Sequence, residues 1–129
     1  MKEIFIVDDD RDLASLTKMA LVKNGYQVSV FHDAYRVLEA LKDKTPSLIL
    51  MDIMLPQVSG AEAVKRIKKE ERLRHVPIIF MTALVNTTEE DLEKKGIKVG
   101  ETNYKTFGKP YEIDELIKMV DQTIQEGEV

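Results

Sequence analysis

Cysteine is absent from this sequence, which removes disulfides, thiolate metal sites and cysteine nucleophiles together. Long apolar runs are missing too. None approaches the ~20 residues a spanning helix needs, and Lys2 leads straight into a strand pattern rather than a signal-peptide core. Neither sign of charge dominates: 19 Lys and Arg face 23 Asp and Glu, for a net charge of −4. That balance offers no surface for coating nucleic acid and no polybasic patch for a membrane. No repeat, low-complexity tract or linker interrupts the 129 residues, a length that suits one domain with a proper core. The reading is a soluble, cytoplasmic protein forming a single domain over 1–129.

What is present is organised around Ser47 to Gly60. Leu48-Ile49-Leu50-Met51 is an apolar run too short for an isolated helix, and it suits a strand buried on both faces. One carboxylate, Asp52, closes it, and apolar Ile53-Met54-Leu55, then Pro56 and Gly60, follow. A parallel strand delivers its last side chain to the carboxyl edge of the sheet, where open α/β folds place their ligands.

The remaining chain alternates strand and helix patterns. Glu3 to Val7 is an apolar strand running into Asp8-Asp9-Asp10, and Asp10 caps a helix expected to bury Leu13, Leu16, Ala20 and Leu21 before Asn24-Gly25 stops it. Gln27 to Phe31 alternates as an edge strand. Asp33 caps a second helix with Val37, Leu38 and Leu41 inward, closed by Thr45-Pro46. After the central strand, Ser59 to Glu62 forms a capping box for a third helix through Val64 and Ile67. Val76 to Met81 is a further apolar strand ending in Thr82-Ala83. Thr87 and Glu90 open a fourth helix that Gly96 ends, Lys98 to Thr102 reads as loop, and Asn103 to Gly108 as a fifth strand. The last helix carries Ile113, Leu116, Ile117, Val120 and Ile124 at helical spacing. Five strands alternating with five helices predict a three-layer, doubly wound α/β fold on a five-stranded parallel sheet.

Right-handed crossovers bring the carboxyl ends of such strands to one edge. Asp8, Asp9, Asp52, Thr82 and Lys109 are therefore expected to converge. Three clustered carboxylates repel one another unless a hard cation neutralises them, and oxygen ligands suit Mg²⁺ or Mn²⁺. A carboxylate can also attack a phosphoryl group to give an aspartyl phosphate. Lys109 and the metal then stabilise charge on the transferring oxygens, and Thr82 donates a hydrogen bond to one of them.

The combination Val7-Asp8-Asp9-Asp10, Met51 to Pro56 with Gly60, Thr82-Ala83 and Lys109-Pro110 resembles the receiver domain of two-component response regulators, chemotaxis-regulator-like, over essentially the whole chain. The resemblance implies a flavodoxin-like fold with strand order 2-1-3-4-5. It implies Asp52 as phosphoacceptor, Asp9 as a direct Mg²⁺ ligand and Asp8 as a second acid holding metal-bound water. The backbone carbonyl of Met54 would complete the metal site, and Lys109-Pro110 would be a cis peptide. A histidine kinase or histidine phosphotransfer protein would supply the phosphoryl group. Phosphorylation would shift the face of the fourth helix, fifth strand and fifth helix toward an output protein not named by the sequence.

This chain departs from the pattern between Thr82 and Lys109, where it carries about one helical turn more than the family usually has. The surplus falls around Gly96 to Asn103. The switch aromatic normally three residues before the lysine is Thr106 here, with Tyr104 and Phe107 as neighbouring substitutes on opposite strand faces. Met54 and Leu84, two residues past the nucleophile and the threonine, are apolar and predict slow self-dephosphorylation. The Lys65 to Arg74 basic stretch reads as a solvated helix face, and His32 and His75 as surface residues. Two other functions compete. An aspartate-nucleophile phosphatase commonly needs a second acid two residues after the nucleophile, where Met54 stands. A flavodoxin-like nucleotide binder lacks its Gly-rich phosphate loop here.

Overall fold

A computed structural model describes residues 2–83 and 97–127. Its elements run β1 (Glu3–Val7), α1 (Arg11–Lys23), β2 (Gln27–Phe31), α2 (Ala34–Ala40), β3 (Leu48–Asp52) and α3 (Gly60–Lys68). A 3₁₀ turn (Glu71–Leu73), β4 (Ile78–Ala83), β5 (Ile97–Val99), β6 (Thr102–Lys109) and α4 (Ile113–Gly127) complete the described order. The fourth helix expected from Thr87 to Gly96 lies outside the described residues, as does Leu84.

The sheet order is β2-β1-β3-β4-β6-β5. Its first five members pair in parallel, in the expected sequence with β6 as the fifth strand. Alternation along the strands sorts the core into two layers. Phe5, Val7, Ile49, Met51 and Phe80 pack with Val37, Val64 and Ile67 on one face, while Ile4, Ile6, Leu48, Leu50, Ile79 and Met81 pack with Leu21, Leu116, Ile117 and Val120 on the other. A strand buried on both faces reads as a continuous apolar run, and all five residues of β3 are buried.

Helix starts follow their side chains. Asp10 accepts from the Leu13 amide, Asp33 from Arg36 and Ser59 from Glu62, at 3.1, 2.8 and 3.2 Å. The buried stripe of α1 differs from the expected one. Ala14, Thr17 and Leu21 face the core, while Leu16 is exposed.

The segment read as loop, Lys98 to Thr102, instead forms the tip of a β-hairpin, which makes the sheet six-stranded and mixed rather than five-stranded and parallel. β5 pairs antiparallel with the start of β6, Val99 opposite Thr102. The two residues between them begin with Gly100 at φ +64°. A positive φ at the first of two loop residues suits a tight II′ hairpin turn, and only glycine adopts it without cost. The hairpin adds an edge strand whose Val99 is buried with the α2–α3 core cluster.

The basic stretch is also less solvated than its composition suggests. Lys68 donates to the carbonyls of Leu73, Arg74 and Val76 at 3.1, 2.9 and 2.6 Å. Burial pulls its pKa down to about 8, yet three acceptors match the three hydrogens of an ammonium. Arg72 reaches the Lys44 and Leu41 carbonyls and the Thr45 hydroxyl. Both cations tie loops at the amino edge, opposite the carboxylates.

Candidate functional site

Every strand-end residue expected to converge belongs to the carboxyl edge. Asp8 follows β1 and is fully buried, whereas Asp9 beside it is exposed. Asp52 ends β3 at 4% exposure, and Thr82 is buried near the end of β4, in register with Gly108 of β6. Lys109 ends β6 and brings the edge together. Its Nζ lies 2.7 Å from Asp8 Oδ2 and 3.1 Å from Asp52 Oδ2. One ammonium thus bridges carboxylates from two strands.

The backbone fixes the other carboxylate oxygens. Asp8 Oδ1 accepts from the Asp10 amide at 3.0 Å and Asp52 Oδ1 from the Met54 amide at 3.1 Å. Met54 itself is 70% exposed, beside the cluster on the loop after β3. The N-terminus of α3 closes the floor. A Cβ on Gly60 would sit 2.1 Å from the Asp52 carbonyl oxygen, so only glycine permits this approach. The Lys109–Pro110 peptide is cis.

Burial pushes the Asp52 carboxyl up to about 6, because desolvation outweighs the Lys109 ammonium and the Met54 amide, and Asp8 adds repulsion. Burial alone would pull Lys109 down, but Asp8 and Asp52 together raise it above the usual lysine value. The ammonium therefore stays charged.

A metal ion fits this donor set. Asp8, Asp9 and Asp52 offer carboxylate oxygens within 4.8 Å of one another. Asp8 Oδ2 is buried and faces the Lys109 ammonium at 2.7 Å. Hard oxygen ligands of this kind suit Mg²⁺ or Mn²⁺.

Sequence reading missed some neighbours of the site. His32, expected at the surface, is half-buried and its Nδ1 lies 2.8 Å from the Asp8 carbonyl. A carbonyl only accepts, so Nδ1 carries the proton. The available signal was that His32 follows β2, the strand beside β1. Thr106 is buried, with Tyr104 edge-on to Phe80 on one face and Phe107 edge-on to Tyr111 on the other. No described helix is long and apolar enough to cross a membrane.

A family model described as "Response regulator receiver domain" matches residues 4–121. The phosphate regulon transcriptional regulatory protein PhoB of Pseudomonas aeruginosa is 36% identical over 116 residues, covering 90% of this chain and 48% of that protein. The chain thus spans about half the length of that relative. The polar-differentiation response regulator DivK of Brucella ovis is 35% identical over 95 residues, covering 74% of this chain and 77% of its own. Among solved structures, the receiver domain of the sensor histidine kinase PA1611 from Pseudomonas aeruginosa superposes with a TM-score of 0.79 at 26% identity. That match covers 96% of this chain and 98% of the other, whose active-site cleft coordinates a magnesium ion.

Proposed function

The chain belongs to the response regulator receiver family, the phosphorylation-activated switches of two-component signalling, and from that premise we propose that Asp52 is its phosphoacceptor. The observation carrying this reading is the Lys109 ammonium held 2.7 Å from Asp8 and 3.1 Å from Asp52 at the carboxyl edge.

An Asp52 oxygen attacks the phosphorus of a phosphohistidine donor. The P–N bond breaks, its electron pair leaves with the imidazole, and that ring takes up a proton from solvent. With its carboxyl pushed up only to about 6, Asp52 is mainly the nucleophilic carboxylate at neutral pH. Lys109 stays charged and follows the negative charge onto the phosphoryl oxygens, while the Thr82 hydroxyl donates to one of them. Asp8, Asp9, Asp52 and the Met54 carbonyl would hold Mg²⁺ (or Mn²⁺), which when bound neutralises the carboxylates and the transferring oxygens. The chain thereby assists its own phosphorylation and dephosphorylation without being a turnover enzyme.

The donor is a histidine kinase or histidine phosphotransfer protein in the cytoplasm. The 129 residues act as one receiver unit that signals to an output protein through the face of the fourth helix expected from Thr87 to Gly96, β6 and α4, with no direct contact to nucleic acid. A small phosphodonor with Mg²⁺ tests the core of this. Wild type should acquire one phosphate and Asp52→Ala none; an Asp52→Ala protein labelled at the wild-type rate refutes the assignment. Many turnovers in place of one adduct would favour the aspartate-nucleophile phosphatase.

A further inference from the structure

The segment carrying Lys109 is tied to α1 by a pair of hydroxyls that the receiver reading does not use. Thr17, in the middle of α1, is 1% exposed. Its hydroxyl lies 2.9 Å from the Leu13 carbonyl and donates to it. The Tyr111 hydroxyl lies 2.8 Å from the same Thr17 oxygen. A hydroxyl has one hydrogen; that of Thr17 is committed to Leu13, so Tyr111 is the donor of the pair. Burial raises the Tyr111 phenol above the usual tyrosine value, which keeps that donor protonated.

Tyr111 stands two residues after Lys109 and Phe107 two residues before it. Their rings meet edge-on, with centroids 5.7 Å apart at 74°. Gly108 and Lys109 close β6 in register with Thr82 and Ala83 of β4, and the chain leaving that strand end through Pro110 is pinned to α1 at Tyr111. The first turn of that helix, capped by Asp10, follows directly on Asp8 and Asp9. A lysine side chain is long and flexible, so where its ammonium rests depends on where its backbone is held.

We propose that Tyr111 and Thr17 are positioning residues for phosphoryl transfer, their hydroxyl pair holding the C-terminal end of β6 against α1 so that the Lys109 ammonium stays between Asp8 and Asp52. The proposal rests on the roles given above to Asp52 and Lys109. Tyr26 supplies a control within the same molecule. Its hydroxyl donates to Asp121 of α4, a comparable tyrosine tie at the opposite, amino end of the sheet.

The experiment is phosphorylation of the full chain by phosphoramidate at saturating Mg²⁺, with limiting rate and half-saturating donor concentration measured separately and melting temperature in parallel. Tyr111→Phe and Thr17→Val should each lower the limiting rate on the order of tenfold, within the roughly hundredfold that a 1 Å misplacement costs. Half-saturation should not move. The double variant should be no slower than either single one, because one interaction is lost once. Thr17→Ser keeps the hydroxyl and should restore the rate, while Tyr26→Phe should lower the melting temperature alone. If Tyr111→Phe melts lower but reacts at the wild-type rate, as Tyr26→Phe does, the tie is only structural and the proposal falls. If wild type takes no phosphate on Asp52, the site assignment itself falls and takes this with it; measuring wild type first separates the two failures.

Discussion

Replacing Asp52 by Asn should stabilise the protein in the absence of metal, and the gain should depend on pH. Asp52 is 4% exposed, and its carboxyl is pushed from an ordinary 3.8 up to about 6, first by burial. The folded state therefore holds the Asp52 proton more tightly than the unfolded chain does. Stability from the neutral carboxyl is fully present below about 4 and is lost as pH rises through about 6. A rise of about 2 in pKa corresponds to a ceiling of about 3 kcal/mol. Asn also gives up the Lys109 ion pair, but Lys109 keeps Asp8 at 2.7 Å, so a net gain of about 1–3 kcal/mol at pH 7 is expected. Urea unfolding in a chelator from pH 4 to 8 reads this directly. Wild type should weaken between pH 4 and 6.5, Asp52→Asn should stay flatter, and the curves should meet near pH 4. Millimolar Mg²⁺ should narrow the gap at pH 7 by binding native wild type. An Asn variant less stable than wild type at pH 7, or a gap that ignores pH, would refute the reasoning.

Gly60→Ala forces a Cβ to 2.1 Å from the Asp52 carbonyl oxygen, so it should cost about 2–4 kcal/mol in urea unfolding; a loss under about 0.5 kcal/mol would mean that α3 shifts freely. Met54 is 70% exposed beside Asp52 and cannot orient water, so Met54→Asn should speed phosphate release from purified phospho-protein several-fold. An unchanged release rate would show that this position does not control the lifetime.

The strands and helix starts were legible because their causes are local. A doubly buried strand needs a run such as Leu48 to Met51, and a cap such as Asp10 acts three residues away. The convergence of Asp8, Asp52 and Lys109 was legible too, since alternating strand and helix patterns leave few topologies and right-handed crossovers choose among them. The stripe of α1 was misread at Leu16, because several turns of a helix with scattered apolar residues offer more than one inward face. The hairpin was misread because Gly100 signals a turn without saying whether its flanks pair.

By itself, then, the sequence determined a parallel α/β sheet with acids and a lysine at one edge, since period, caps and chirality act over a few residues or apply to every chain. Tertiary structure alone decided that Lys109 bridges Asp8 and Asp52, that His32 holds the Asp8 carbonyl and that Val99 joins the core. It also decided that Tyr111 finds Thr17 across 94 positions of chain. Such contacts are set to within an ångström by how whole layers pack, and no pattern local to either partner encodes that distance.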